Sequence, residues 1–175
     1  MSRKPIPTAE QVLALPSFQR DTITEDQLDA LGHLTFGAYQ TLFGEAWWNF
    51  NDAVGLGAAY AQSHHGGIFA LESHMTFLAE VNFGETVSVR LRVMGIGRKK
   101  LHHLFFMFNE TTGRVAALSE GLGAFANLQT RRIVPWPDEI RPKLDQLHLP
   151  HSQLTWEAPV CGLFLIDPVL IKPHT

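Results

Sequence analysis

The chain has 175 residues, is 45% hydrophobic and carries a formal net charge of -3: enough for one substantial core, too few residues for two independent ones. The slight acidity excludes the broad basic footprint of a nucleic-acid binder, and no apolar run approaches the roughly 20 residues of a membrane helix. A single cysteine, Cys161, excludes an internal disulfide, and residues 1–16 lack the continuous apolar stretch of a secretory signal, so a reduced, cytoplasmic setting is expected.

In chain order, Pro5, Pro7 and Pro16 punctuate an N-terminal extension, residues 1–17, that is expected to cross the surface before an opening strand over 18–24. From Phe36 the apolar residues Tyr39, Phe43, Trp47, Phe50 and Val54 follow three- and four-residue steps, and Leu42, Ala46 and Ala53 widen the stripe. This predicts a helix of about five turns, buried over much of its circumference. Thr35 is its N-cap, and Gly55 and Gly57 sit where it should stop. After a loop containing His64, His65, Gly66 and Gly67, period-two patterning predicts strands over 68–81, 86–96, 100–109 and 115–129. The intervening Asn82-Phe83-Gly84-Glu85, Gly97-Arg98-Lys99 and Glu110-Thr111-Thr112-Gly113 all suit hairpins, which predicts an antiparallel meander. Pro135 and Pro137 end the last strand, and 138–147 suits a short helix with Ile140, Leu144 and Leu147 on one side. Beyond Pro150 the segment 163–170 is too apolar for a solvated end, and its packing site is open: this domain, a partner subunit or the mouth of a site.

One strand, a long buried helix and four long antiparallel strands describe an α+β hotdog fold, in which a curved antiparallel sheet wraps around a long central helix. The main domain spans residues 18–134, followed by a C-terminal short helix and tail over 135–175. The most informative chemistry lies just before the helix. Asp29 is followed three and four residues later by Gly32 and His33. A carboxylate, a flexible glycine, an imidazole and the positive end of a helix are parts for hydrolysis at a carbonyl.

Asp29-Ala30-Leu31-Gly32-His33-Leu34, followed by Tyr39 and Glu45, resembles the signature of acyl-CoA thioesterases of the 4-hydroxybenzoyl-CoA thioesterase type. The similarity covers about residues 21–130. Thr35 and Phe36 stand where many relatives carry two Asn residues. A narrower set, Gly32-His33-Leu34-Thr35, Phe43-Gly44-Glu45-Ala46, Glu72-Ser73-His74 and Lys100-Leu101-His102, resembles thioesterase domains associated with carnitine breakdown, some of them fused to carnitine dehydrogenases. No dinucleotide-binding Gly-x-Gly-x-x-Gly run is present here. The resemblance makes betainyl-CoA a candidate substrate. It implies that Asp29 acts on the thioester carbonyl as nucleophile or as general base, that the backbone amide of Phe36 polarises the carbonyl oxygen, and that subunits pair as a homodimer or homotetramer.

Other candidates carry two readings each. His33 either orients substrate and water or caps the turn, and Gly32 permits positive φ in either case. Glu45, halfway along the helix, reads as a salt-bridge or interface residue. Glu72 and His74, two apart on a strand, share a face and mark a pocket wall or subunit interface, or else a buried hydrogen-bonded pair. Trp47 offers an indole face to a quaternary ammonium, or packs in the core or at a dimer contact. Arg98, Lys99 and Lys100 offer cations for the CoA phosphates, or form a solvated hairpin. His102 and His103 must point to opposite faces. No zinc-type Cys/His spacing occurs, so neither a metal nor another cofactor is expected. Besides thioester hydrolysis, a hotdog enoyl-CoA hydratase and a noncatalytic acyl-CoA-binding module are compatible with this pattern.

Overall fold

The structure, a computed structural model, describes residues 4–164 and 166. Its centre is helix α2 (Phe36–Ala53), clasped by a six-stranded antiparallel sheet. Thr35 is the N-cap, its hydroxyl accepting from the Ala38 amide at 3.1 Å. Leu42, Phe43, Ala46 and Phe50 bury the inner stripe against Val89, Leu91, Phe105 and Met107 of the sheet. At the far end Val54 is the C-cap and Gly55 takes a φ of +83°, the left-handed conformation that glycine adopts without a side-chain penalty.

The strands are β1 (Ser17–Thr22), β2 (Gly66–Phe77), β3 (Thr86–Ile96), β4 (Lys100–Asn109), β5 (Arg114–Asn127) and the short β6 (Arg132–Ile133), and the main order is β1-β3-β4-β5-β2. The expected meander therefore holds only for β3-β4-β5. Asn82–Glu85 does form a tight turn, with the Glu85 amide on the Asn82 carbonyl at 3.2 Å, but the turn is tied to Ile23 rather than joining two paired strands. Alternation and turn residues report a strand and a reversal, not the partner. Here β1 occupies the free edge of β3, and β2 crosses over to pair with β5.

Three helices differ from the sequence expectation. Helix α1 (Ala9–Leu13) lies in the segment read as irregular, and its signal is a capping box: Thr8 and Gln11 exchange side-chain to backbone hydrogen bonds at 2.8 and 3.3 Å. Helix α3 (Ala58–His64) replaces the expected loop, because a run of strong helix formers follows Gly57, and His65 ends it in the left-handed region. Helix α4 (Arg141–Ser152) starts later and runs further than 138–147. Pro142 falls in its first turn, where no amide donor is needed, so the proline opens the helix rather than breaking it.

The outer face of the sheet is not solvated. Val12, Leu15, Leu104, Phe106, Phe108, Leu118 and Ala158 form a second core, against which Leu154, Trp156 and Val160 pack. Both terminal segments are fixed by the arginines of β3. Arg90 donates to the Leu13 and Leu15 carbonyls at 2.9 and 2.8 Å, and Arg92 lies over the Trp156 ring at 4.0 Å while donating to its carbonyl at 2.9 Å. The tail thus packs on its own domain as far as the described residues run; Leu163 is exposed, and the rest of 163–170, apart from Phe164 and Ile166, lies outside them.

His102 and His103 do point to opposite faces. The His103 ring is buried on the helix side, stacked on Trp47 with centroids 4.6 Å apart, and its Nδ1 has no hydrogen-bond partner among the described residues. Burial pushes its pKa down to about 3. His151, whose Nδ1 accepts the Val93 amide at 3.0 Å, is pushed down to about 4 by burial and by Arg92.

Two predictions follow from this packing. Thr35→Ala should lower unfolding free energy by about 1 kcal/mol through loss of the cap; a urea midpoint equal to the parent would contradict that. The second concerns acid. Once unfolded, His103 takes up a proton near the ordinary histidine pKa of about 6.5. Below that pH the unfolded chain binds more protons than the folded one, so stability falls as pH falls, by about 1.4 kcal/mol per pH unit for this residue alone. His103→Phe should flatten the dependence of urea-unfolding free energy between roughly pH 6.5 and 4.5, and an unchanged slope would contradict the neutral, buried imidazole.

Candidate active site

Asp29 to His33 folds back on itself. The Asp29 amide donates to the His33 carbonyl at 2.8 Å and the Gly32 amide to the Asp29 carbonyl at 3.0 Å, while Gly32 has a φ of +82°. One carboxylate oxygen of Asp29, Oδ1, accepts the amides of Leu31 at 2.8 Å and His33 at 3.2 Å. The hydrogen bond from the His33 amide, then that from Leu31, with the His33 charge and the Gly32 amide adding to them, outweighs the small effect of burial. The carboxyl is therefore held below its usual range and is ionised at neutral pH. It lies at the surface of the single chain.

This turn is clamped to its surroundings. The Leu34 amide donates to the Val81 carbonyl at 2.8 Å, the Thr35 amide donates to the Gln27 carbonyl at 2.9 Å, and His33 bridges Asn82. The start of α2 is thereby fixed relative to the segment that follows β2. Because Thr35 caps Ala38, the amides of Phe36 and Gly37 are left at the first turn without intrahelical acceptors.

A cleft of about 420 Å³ opens beside them, lined by His33, Phe36, Tyr39, Phe77, Ala79 and Glu80 among others. His33 Nε2 is 3.3 Å from Glu80 Oε2. The Tyr39 hydroxyl donates to the Ala79 carbonyl at 3.3 Å, and burial, with the Glu80 and Glu85 charges, raises its pKa to about 12, so it stays protonated. Phe36 was expected in the buried stripe. It is instead 59% exposed, edge-on to Phe77 at 6.1 Å beside the cleft that both residues line. Tyr39, Phe77 and Glu80 were not singled out as site residues; they come together only through the β2 crossover, and no spacing in the chain encodes that.

Further along the same α2–β2 seam a groove of about 190 Å³ is bordered by Gln40, Gly44 and Trp47 on the helix and by Ser73, Met75 and His103 on the sheet. Trp47 is half-buried, stacked on His103 and tilted by 35° to the Phe50 ring at 5.4 Å between centroids. Glu72 also borders this groove beside a bulge in β2, whereas His74 borders a different cleft on the outer face. Both are exposed, so they do not form the buried pair that was one of their readings. Glu45 is exposed and accepts from Gln19 at 2.7 Å. Arg98, Lys99 and Lys100 sit at the Ile96 end of β3, the other end of an eleven-residue strand from the Asp29 turn. That separation is about 30 Å of extended chain. Lys99 Nζ donates to the Ile133 carbonyl at 3.3 Å.

Similarity to known proteins agrees with this geometry. Residues 23–144 match the model of the thioesterase-like superfamily. The chain is 29% identical over 147 residues to a betainyl-CoA thioesterase of Pseudomonas aeruginosa, covering 84% of this chain and 92% of that protein. It is 25% identical over 127 residues to an L-carnitine dehydrogenase/betainyl-CoA thioesterase of Rhizobium meliloti, covering 73% of this chain and 25% of that longer protein. A Staphylococcus aureus protein solved in complex with CoA superposes with a TM-score of 0.77 at 24% identity, covering 88% of this chain and 97% of that one. No helix among the described residues is long and apolar enough to cross a membrane. By the family match, carried on the fold that its element order predicts, the chain belongs to the thioesterase-like superfamily.

Proposed function

We propose that the protein hydrolyses a small acyl-CoA thioester to the free acid and CoA, with Asp29 as the catalytic carboxylate. The observation that carries this reading is an ionised carboxylate, held by the turn that also fixes the start of α2, beside a cleft lined by Phe36, whose amide has no hydrogen-bond partner among the described residues. An ionised carboxylate supplies the nucleophile or the general base for water, and helix-start amides stabilise the oxyanion that develops on the thioester carbonyl. One such donor is worth roughly 3 kcal/mol of transition-state stabilisation. Only the amide of Phe36 is needed for this, so its side chain is free to border the cleft. His33 lines the cleft and orients substrate or water, while Gly32 and Thr35 set the turn and the cap.

The acyl group extends from that cleft into the groove along the seam, past Trp47 and Glu72. The P. aeruginosa relative is named for betainyl-CoA, which supports a quaternary ammonium as one acyl end, and Trp47 brings to the border of the groove an indole ring of the kind whose face receives such a cation. A second copy of the chain completes the site. Supporting this, β2 is a twelve-residue edge strand on which Phe69, Leu71 and Phe77 are 40–46% exposed, and such an edge calls for cover. In that dimer, or a tetramer built from it, Asp29 loses solvent. The basic turn Arg98–Lys100 then serves the CoA phosphates of a partner's site rather than of its own.

Asp29→Asn keeps an oxygen to accept the Leu31 and His33 amides, so it should fold as the parent does while free-thiol release falls by roughly 10²–10⁴-fold. Parent-like turnover in a folded Asn variant would exclude Asp29. The amides of Leu31 and His33 stay on the Asp29 carboxylate in the dimer and oppose the rise that lost solvent brings, so the acid limb of kcat/KM should lie on the acid side of neutrality; a limb near neutrality would assign the essential base to an imidazole. Across betainyl, short aliphatic and aromatic acyl-CoA substrates, Trp47→Ala should raise KM selectively for the betainyl thioester, by the roughly 0.5–2 kcal/mol of a cation-indole contact. An equal effect on neutral acyl groups would remove the ammonium from the account.

A further inference from the structure

On the outer face of the sheet, away from the α2–β2 seam, three side chains from distant parts of the chain converge. His74 of β2, Glu120 of β5 and Cys161 of the tail each bring one donor atom to within 4.8 Å of the other two. His74 and Glu120 are direct cross-strand partners and therefore share a face. Cys161 is fixed to them through its main chain, its amide donating to Glu120 Oε2 at 2.6 Å. The other carboxylate oxygen, Oε1, lies 2.8 Å from His102 Nε2, and the His102 ring is braced edge-on by Phe164.

The charge balance of this cluster is unusual. Glu120 is only 2% exposed, and its one salt-bridge partner among the described residues is His102. Its two oxygens are held by His102 Nε2 and by the Cys161 amide. An anion buried beside a thiol and an imidazole favours a cation at the point where the three meet. Nitrogen, oxygen and sulfur donors together suit zinc and neighbouring transition metals, not the oxygen-preferring magnesium or calcium.

We propose that His74, Glu120 and Cys161 bind one divalent transition-metal ion of the zinc type, with His102 hydrogen-bonded to Glu120 as the residue that orients it. His74 and Cys161 also line a cleft of about 580 Å³ with Lys4, Thr76, Pro159 and Gly162, which gives the ion its access and leaves room for water as a fourth ligand. The ion clasps the C-terminal segment to β2 and β5. Cysteine ligates as the thiolate, so binding releases a proton and strengthens as pH rises.

Cobalt(II) titration of the reduced, chelator-stripped full chain reads this directly. One equivalent should bind with a thiolate-to-cobalt charge-transfer absorption in the near ultraviolet. Cys161→Ser, at a half-buried tail position that leaves the sheet intact, should abolish the absorption, and His102→Ala should weaken binding by roughly 10–100-fold while keeping it. Absence of the absorption in the parent, including binding through other histidines alone, overturns the proposal, as does its persistence in Cys161→Ser. The readout is independent of thioester hydrolysis. An Asp29→Asn variant should bind cobalt as the parent does, so failure of the metal site and failure of the catalytic reading are separable.

Discussion

The clamp between residues 27–28, 34–35 and 81–82 is the constraint on which the rest of this structure depends. Two backbone hydrogen bonds, Thr35 to Gln27 and Leu34 to Val81, hold the start of α2 against the turn before Asp29 and the segment that follows β2. Without them the helix would still form from its apolar stripe, but its first amides would point at no defined place. With them, the cap, the Asp29 turn and the wall formed by Phe77, Ala79 and Glu80 become one rigid arrangement. Oxyanion stabilisation depends on donors being in place before charge develops, so rigidity here matters more than the number of polar groups.

The Asp29 carboxylate has two uses that are compatible. It closes its own turn by accepting two amides, which explains its position without reference to catalysis. The same hydrogen bonds keep it ionised and fix its direction, which chemistry at a carbonyl requires. In the single chain it faces water, where its electrostatic effect is damped; cover by a second subunit along the β2 edge would lower the local dielectric and strengthen it.

Much of this was legible in the sequence because it is encoded locally. The α2 stripe, the Thr35 cap, the stop at Gly55 and the strands around β3, β4 and β5 all follow from spacings within a few residues, and the Asp29-Gly32-His33 turn from turn chemistry; Gly57 instead opens α3 as its N-cap. What was not legible is encoded by contact between distant segments. Alternation cannot tell that β2 pairs with β5, so Tyr39, Phe77 and Glu80 were not assembled into a cleft. Arg90 and Arg92 of β3 anchor both terminal segments, which the alternation of that strand does not report. His74, Glu120 and Cys161 have no motif spacing at all. The short helices α1 and α3 did have local signals, in the Thr8–Gln11 box and the alanine-rich run after Gly57.

A crystal structure of the protein with a nonhydrolysable acyl-CoA analogue tests the central claim most directly. The account predicts the carbonyl position within hydrogen-bond reach of the Phe36 or Gly37 amide, the Asp29 carboxylate facing the carbonyl carbon, and the acyl group lying along the α2–β2 seam. An analogue bound with its carbonyl remote from the start of α2, or with Asp29 still turned to bulk water in the assembled oligomer, would contradict it.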